Sequence, residues 1–200
     1  MSILQCRDAL VERGYRVSCH KTKEEAAAYL DSKIDGVTVG FGGSMTLAEM
    51  GLYERLLAHN TVYNHWAVPE GMTAREVQEK AAAAEVYLSS VNALSLDGVI
   101  VNMDGACNRV AGTLFGHKRV YFVVGVNKLV SDEAAAVLRT RNLAAPKNAA
   151  RLGRSTPCVS AGRCLDCRSP ERICRALLTL LGPPLTAEYE VVLVDEVLGY

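Results

Sequence analysis

Val120-Tyr121-Phe122-Val123-Val124-Gly125-Val126 is the stretch on which the fold turns. Its apolar residues run without the alternation of a strand that shows one face to water, which predicts a strand buried on both faces at the core of a parallel sheet. The flanking segments support this reading. A helix is expected over residues 108–115 and another from about Ser131, so the strand sits in a helix–strand–helix setting. Further out, helix-period stretches keep giving way to short β-rich runs, and that alternation reads as α/β.

The opening residues to about Arg13 have helical spacing, and residues 15–19 form a candidate strand. Thr22 stands three residues before Glu25, the spacing of a capping box, ahead of an alanine-rich helix to about Lys33. Residues 37–39 then form a strand that runs into Gly40-Phe41-Gly42-Gly43-Ser44-Met45-Thr46 and a helix from Met45. Strands are expected at 61–64 and 86–89, with a helix over 73–84 between them. Asp97-Gly98 separates the β-rich runs 92–96 and 99–102 and predicts a hairpin. Residues 144–163, with Pro146, Gly153, Pro157 and Gly162, show no regular period and read as an ordered loop. A last helix near 170–181 and a last strand at 190–194 complete the chain.

With 200 residues, half of them hydrophobic, the chain is large enough for one core without staples. We therefore expect a single α/β domain over 1–200, with a mostly parallel sheet flanked by helices. The 22 basic and 22 acidic side chains balance, so no global field attracts nucleic acid or anionic lipid. The first residues lack the apolar core of a signal peptide, and the longest apolar runs are too short for a membrane span. A cytoplasmic protein is expected. Seven cysteines, an odd number with four crowded together, fit a metal site in a reducing compartment better than a disulfide framework.

A strand that ends in glycines and feeds a helix gathers free backbone N–H groups, two hydroxyls and a positive helix end at one point, which suits an anion. Gly40, Gly42, Gly43, Ser44 and Thr46 are the candidates in this loop. Their spacing matches neither the Walker loop nor the dinucleotide fingerprint, so ATP and NAD are not indicated. Three further polar groups fall at predicted strand ends. They are Asp97, then Asn102, Asp104, Asn108 and Arg109, and finally Asn127 and Lys128. Ligands of open α/β sheets collect at the carboxyl ends of strands, so these residues are placed to converge on the loop. Asp104 or Asp97 would act in proton transfer, Lys128 would join them in catalysis, and Arg109 with Lys128 would neutralise an anionic small-molecule ligand. The competing reading makes Asp104 and Asn108 helix caps and leaves Arg109 and Lys128 in solvent. His65-Trp66 reads as surface loop, with pocket lining as its alternative.

Cys158, Cys164, Cys167 and Cys174 have the spacing C-x5-C-x2-C-x6-C within the cysteine-rich segment 144–175. Four thiols so close in sequence suit a tetrahedral ligand set. A single C-x2-C pair with no nearby histidine favours a [4Fe–4S] cluster over zinc, while four plain reduced thiols remain a third reading. Arg151, Arg154, Arg163, Arg168, Arg172 and Arg175 would offset thiolate charge or receive an acidic substrate. Cys6, Cys19 and Cys107 read as buried small hydrophobes.

The runs GFGGSMT at 40–46, SLDGVIVNMDGACNRVAG at 95–112, VYFVVGVNKLV at 120–130 and AAPKNAARLGRSTPC at 144–158 resemble the LUD-domain, or lactate-utilization, proteins. The ending, CLDCRSPERIC at 164–174 and VVLVDEVLGY at 191–200, is similar to the branch with a cysteine-rich C-terminal segment. The resemblance implies a fold of the ribose-phosphate isomerase and CoA-transferase type, with Gly42, Gly43, Ser44 and Thr46 similar in role to a phosphate-holding loop. The isomerase's acidic and lysine-glycine motifs are not reproduced, and no glutamate motif of a CoA-transferase is present. Three functions follow as expectations. The first, implied by the resemblance, is a role with redox partner subunits in a system for a small hydroxy or keto acid such as lactate. The second is a non-redox isomerase- or transferase-like enzyme for a phosphorylated or anionic molecule, and the third a non-catalytic metabolite-binding subunit.

Overall fold

The computed structural model describes residues 3–200, so the first two residues of the expected N-terminal helix and domain lie outside the described residues. Ten strands carry the architecture: β1 (Arg16–His20), β2 (Thr38–Phe41), β3 (Thr61–Asn64), β4 (Val86–Ser90), β5 (Ala93–Ser95), β6 (Ile100–Asp104), β7 (Arg119–Gly125), β8 (Leu129–Val130), β9 (Ala176–Leu180) and β10 (Glu188–Val194). Six of them form a parallel sheet in the order β1-β10-β7-β4-β2-β3. The expected α/β fold with a mostly parallel sheet is therefore present.

β7 lies inside this sheet between β10 and β4, and its side chains from Val120 onward are buried. Alternate residues serve different cores, which explains why the run has no polar face. Tyr121 and Val123 pack with Leu30, Ile34, Leu47, Leu52 and Leu56. Those residues come from α2 (Lys23–Lys33), α3 (Met45–Glu49), α4 (Leu52–Leu57) and the turn after α2. Val120, Phe122 and Val124 instead meet Cys6 and Leu10 of α1 (Ile3–Glu12) together with Leu94, Ile100, Leu129 and Leu180. The last four belong to a second sheet in the order β8-β5-β6-β9, which covers that face of the first. Burying such side chains contributes about 1.5–3 kcal/mol each before entropy is counted.

Local signals set most element ends. The Thr22 hydroxyl accepts the Glu25 N–H at 3.2 Å and starts α2. Thr73 and Glu76 form a reciprocal capping box ahead of α5 (Ala74–Ala82). Gly98 holds φ at +85° between the antiparallel strands β5 and β6, as the hairpin requires.

Three expectations need correction. The last helix expected near 170–181 is absent: β9 occupies Ala176–Leu180 and runs antiparallel to β6, with Leu178 opposite Asn102. The leucine-rich run has helical propensity, but pairing with β6 decides its state. The expected loop over 144–163 contains α8 (Ala145–Arg151) and α9 (Pro157–Ala161). α8 continues α7 (Glu133–Arg139) through a wider π turn at Thr140–Ala144, just ahead of Pro146. That turn loosens the hydrogen-bond ladder where proline supplies no N–H, so the proline does not end the helix. Cys6 is buried as expected, whereas Cys19 is exposed because β1 is an edge strand.

Gly40 shows how tightly β2 is packed. A Cβ there would stand 2.3 Å from the Ala81 carbonyl oxygen and 2.9 Å from Tyr87 Cδ2. Gly40→Ala should therefore destabilise the protein by about 2–3 kcal/mol in denaturant unfolding, through overpacking against backbone that cannot yield. An unchanged midpoint would contradict this packing.

Candidate functional site

A cleft of about 490 Å³ opens at the carboxyl ends of the strands, where β2 turns into α3, β4 ends at Ser90 and β6 ends at Asp104. Chain leaving β7 enters a 3-10 turn, Val126–Lys128, which delivers Lys128 to the floor of the cleft. Ser44 caps α3 by accepting the Leu47 N–H at 3.3 Å, and Thr46 in the first turn is fully buried.

Lys128 is only 3% exposed, and its Nζ donates to Thr46 Oγ1 at 2.7 Å and to Ser90 Oγ at 2.8 Å. Burial pushes its ammonium down to about 7, and the positive charges of Arg139 and Arg109 act in the same direction. Arg109 enters from α6 (Asn108–Gly112), which follows Cys107 in the left-handed region at φ +65°. Its guanidinium donates to Asn102 Oδ1 at 2.6 Å, Met103 O at 2.6 Å, Asn92 Oδ1 at 3.2 Å and Ser90 O at 3.3 Å. Behind them, Arg139 donates to the carbonyls of Asn127 and Asn92. These hydrogen bonds all go to neutral oxygens, and among the described residues no carboxylate forms an ion pair with any of the three cations.

Gly43, Ser44, Thr46, Asp104, Asn108, Arg109 and Lys128 all line this cleft. Asp104 also has a capping duty, since its Oδ2 accepts the Val110 N–H at 3.1 Å. Gly40, Gly42, Asn102 and Asn127 do not line it but support those that do. A Cβ on Gly42 would come within 2.9 Å of Arg109 Cγ, so glycine there gives the arginine stem its path. Asn102 is fully buried and accepts both from Arg109 and from the Asn92 N–H at 3.0 Å. Asn127 holds the chain near Leu198 and Gly199. Asp97 is misplaced by the sequence reading, because it lies at the exposed hairpin turn and pairs with Arg13 at 3.4 Å. Its carboxylate belongs to the turn that Gly98 makes, at the amino end of β6.

Several cleft residues were not singled out as ligands from sequence. Ser90 ends β4 and Asn92 follows it, and only that position signals them. His65 and Trp66 line the cleft instead of forming a plain surface loop, and both follow the end of β3. Arg151, expected either to offset thiolate charge or to receive an acidic substrate, lies over the Trp66 ring at 4.8 Å and donates to the Tyr200 hydroxyl at 3.0 Å. Arg154, Arg172 and Arg175 join it on the cleft wall.

All four C-terminal cysteines line one small cavity beside the cleft, and Arg172 and Ile173 line both spaces. Cys164 Sγ accepts the Asp166 N–H at 3.4 Å, and Arg141 Nη2 stands 4.0 Å away. Asp166 has φ +48°, which bends the C-x2-C turn. Among the described residues, no group of three or more His, Cys, Asp or Glu side chains is close enough to hold a metal ion.

The LUD domain family matches residues 3–194 of the chain. A crystal structure of a DUF162 family protein from Deinococcus radiodurans is similar in fold, with a TM-score of 0.54, 13% identity, and coverage of 96% of this chain and 95% of that one. A structure of eIF2B beta from Chaetomium thermophilum matches at a TM-score of 0.34 and 14% identity over 66% of this chain and 43% of that one. No curated protein sequence matches the chain. No described helix is long and apolar enough to cross a membrane. With nearly its whole length matched, the chain belongs to the LUD domain family.

Proposed function

We propose that this protein binds a small anionic hydroxy or keto acid in the cleft and serves a cytoplasmic redox system with partner subunits, the four cysteines holding a [4Fe–4S] cluster. The observation that carries this reading is the buried pair Lys128 and Arg109, whose hydrogen bonds all end on neutral oxygens, with the Asp104 and Glu49 carboxylates acting on them only through space. Taking cations out of water without a counter-charge is costly, and a bound carboxylate removes that cost where it is greatest. The His65 Nδ1 atom is buried without a partner among the described residues and adds a polar contact for such a ligand.

Support for the cluster comes from the four thiols around one cavity and from N–H donors aimed at Cys164. Zinc fits less well, since one ion needs every sulfur about 2.3 Å from a single point. A cluster meets each thiolate through a different iron and tolerates wider spacing, and when bound it would supply one-electron transfer. The cationic side chains of Arg141 and Arg172 would offset the thiolate charge beside it. A non-redox enzyme for a phosphorylated molecule is the second reading. The absence of a compact metal-ligand group among the described residues favours that one, with the cysteine segment as a clasp.

Anaerobic purification followed by iron, sulfide and zinc analysis is expected to give four irons and four sulfides per chain, about the content of one such cluster. A stable, folded, metal-free protein would remove the redox reading. For the cleft, calorimetry should detect pyruvate, lactate or phosphate but not a neutral amide of similar size. Arg151→Met removes a charged donor, and Gly43→Val pushes on Trp66 and His65, which already stand 3.1–3.2 Å from the Cβ position. Each should weaken anion binding about tenfold while leaving the thermal unfolding midpoint within a few degrees. Unchanged affinity in both variants would contradict the assignment.

A further inference from the structure

We propose that Lys128 forms an imine with the carbonyl carbon of a 2-oxo acid seated in the cleft, an inference that rests on the anion-binding reading above and names the ligand class more narrowly. The hydroxyl hydrogen bonds around the amine carry it. Ser90 Oγ donates to Thr46 Oγ1 at 3.3 Å, and Thr46 Oγ1 donates to the Leu198 carbonyl at 3.3 Å. With both hydroxyl protons so committed, both oxygens accept from Nζ, at 2.8 and 2.7 Å. A neutral amine then gives its two hydrogens to Ser90 and Thr46 and keeps its lone pair unengaged, on a residue that lines the cleft. The same pattern argues against Ser90 as a nucleophile activated by Lys128, because the Ser90 proton points to Thr46.

The charges facing Nζ come from three helices. Arg109 on α6 and Arg139 on α7 favour the neutral amine, while Glu49 on α3 opposes them and is itself engaged by the Gly199 N–H at 2.8 Å. Burial is the largest influence and brings the amine to about 7, within the range of lysines that attack carbonyls. Arg151 stands on the cleft wall for the carboxylate, which would turn the adjacent carbonyl toward Lys128, while Arg109, its four Nη hydrogens bonded to neutral oxygens, contributes charge without a hydrogen bond to the ligand.

The step balances without an oxidant or reductant. The Nζ lone pair attacks the carbonyl carbon and forms a C–N bond, the carbonyl π pair moves to oxygen, and one N–H proton passes to that oxygen to give a carbinolamine. The hydroxyl then leaves with the second N–H proton as water, and the C=N bond forms. With the Ser90 proton committed to Thr46, these transfers are left to solvent water entering the cleft.

The test is reductive trapping with pyruvate as the probe. Protein incubated with pyruvate and borohydride should gain the mass of one carboxyethyl group, located by peptide mapping on Lys128, and should gain nothing from lactate, which has no carbonyl. The initial trapping rate should fall about tenfold per pH unit below 7 as the amine protonates, a dependence that a merely structural lysine would not produce. Lys128→Arg, or Lys128→Met should the arginine not fit, should abolish the adduct with secondary structure retained by circular dichroism. Wild-type protein that binds pyruvate in calorimetry but yields no adduct would overturn the imine and leave the anion cleft standing. Absence of both binding and adduct would overturn both, and adducts spread over surface lysines equally in wild type and Lys128→Arg would overturn the imine.

Discussion

Positive charge carried inward without a directly bonded carboxylate is the constraint around which this molecule is arranged. Lys128 and Arg109 reach the same floor from different elements, and a third cation, Arg139, presses on the lysine from behind. Burial does most to bring the lysine down to about 7, and repulsion from Arg139 and Arg109 adds to it. The protein answers with neutral oxygens: Thr46 and Ser90 for the lysine, Asn102, Asn92, Met103 and Ser90 for the arginine. These dipoles hold the cations in place without cancelling their charge. What remains is a potential that an incoming anion feels.

The parallel sheet makes this arrangement possible. All six of its strands point their carboxyl ends the same way, so the loops after β2, β4 and β7 meet although 38, 86 and 119 are far apart in the chain. Two packed faces, one of helices and one partly of a second sheet, fix the strands that deliver those loops. Gly40 and Gly42 let neighbouring groups come close: the Ala81 carbonyl against β2, and the stem of Arg109 past the loop.

Much of this was legible in the sequence. The unalternating run at 120–126 placed the central strand, and Asp97-Gly98 placed the hairpin, because each rests on a local pattern with one physical cause. Seven of the residues expected at the cleft line it, since strand ends can be read from composition and the sheet does the rest. Asp97 was misplaced because a hairpin turn and a strand-end loop have the same composition. β9 was misread because leucine-rich runs suit a helix until a partner strand is known. Arg151 and Trp66 stack only in the folded chain, so nothing in their sequence neighbourhoods pairs them.

The cysteine segment sits against this cleft through Arg172 and Ile173, so the two spaces share a wall. The account stands or falls on Lys128 itself, and the direct measurement is an NMR pH titration of its side chain in the ligand-free protein, assigned by loss of the signal in Lys128→Arg. The account predicts titration near 7, moving upward when phosphate occupies the cleft. A midpoint at about 10.4, that of an ordinary solvated lysine, unmoved by phosphate, would contradict it.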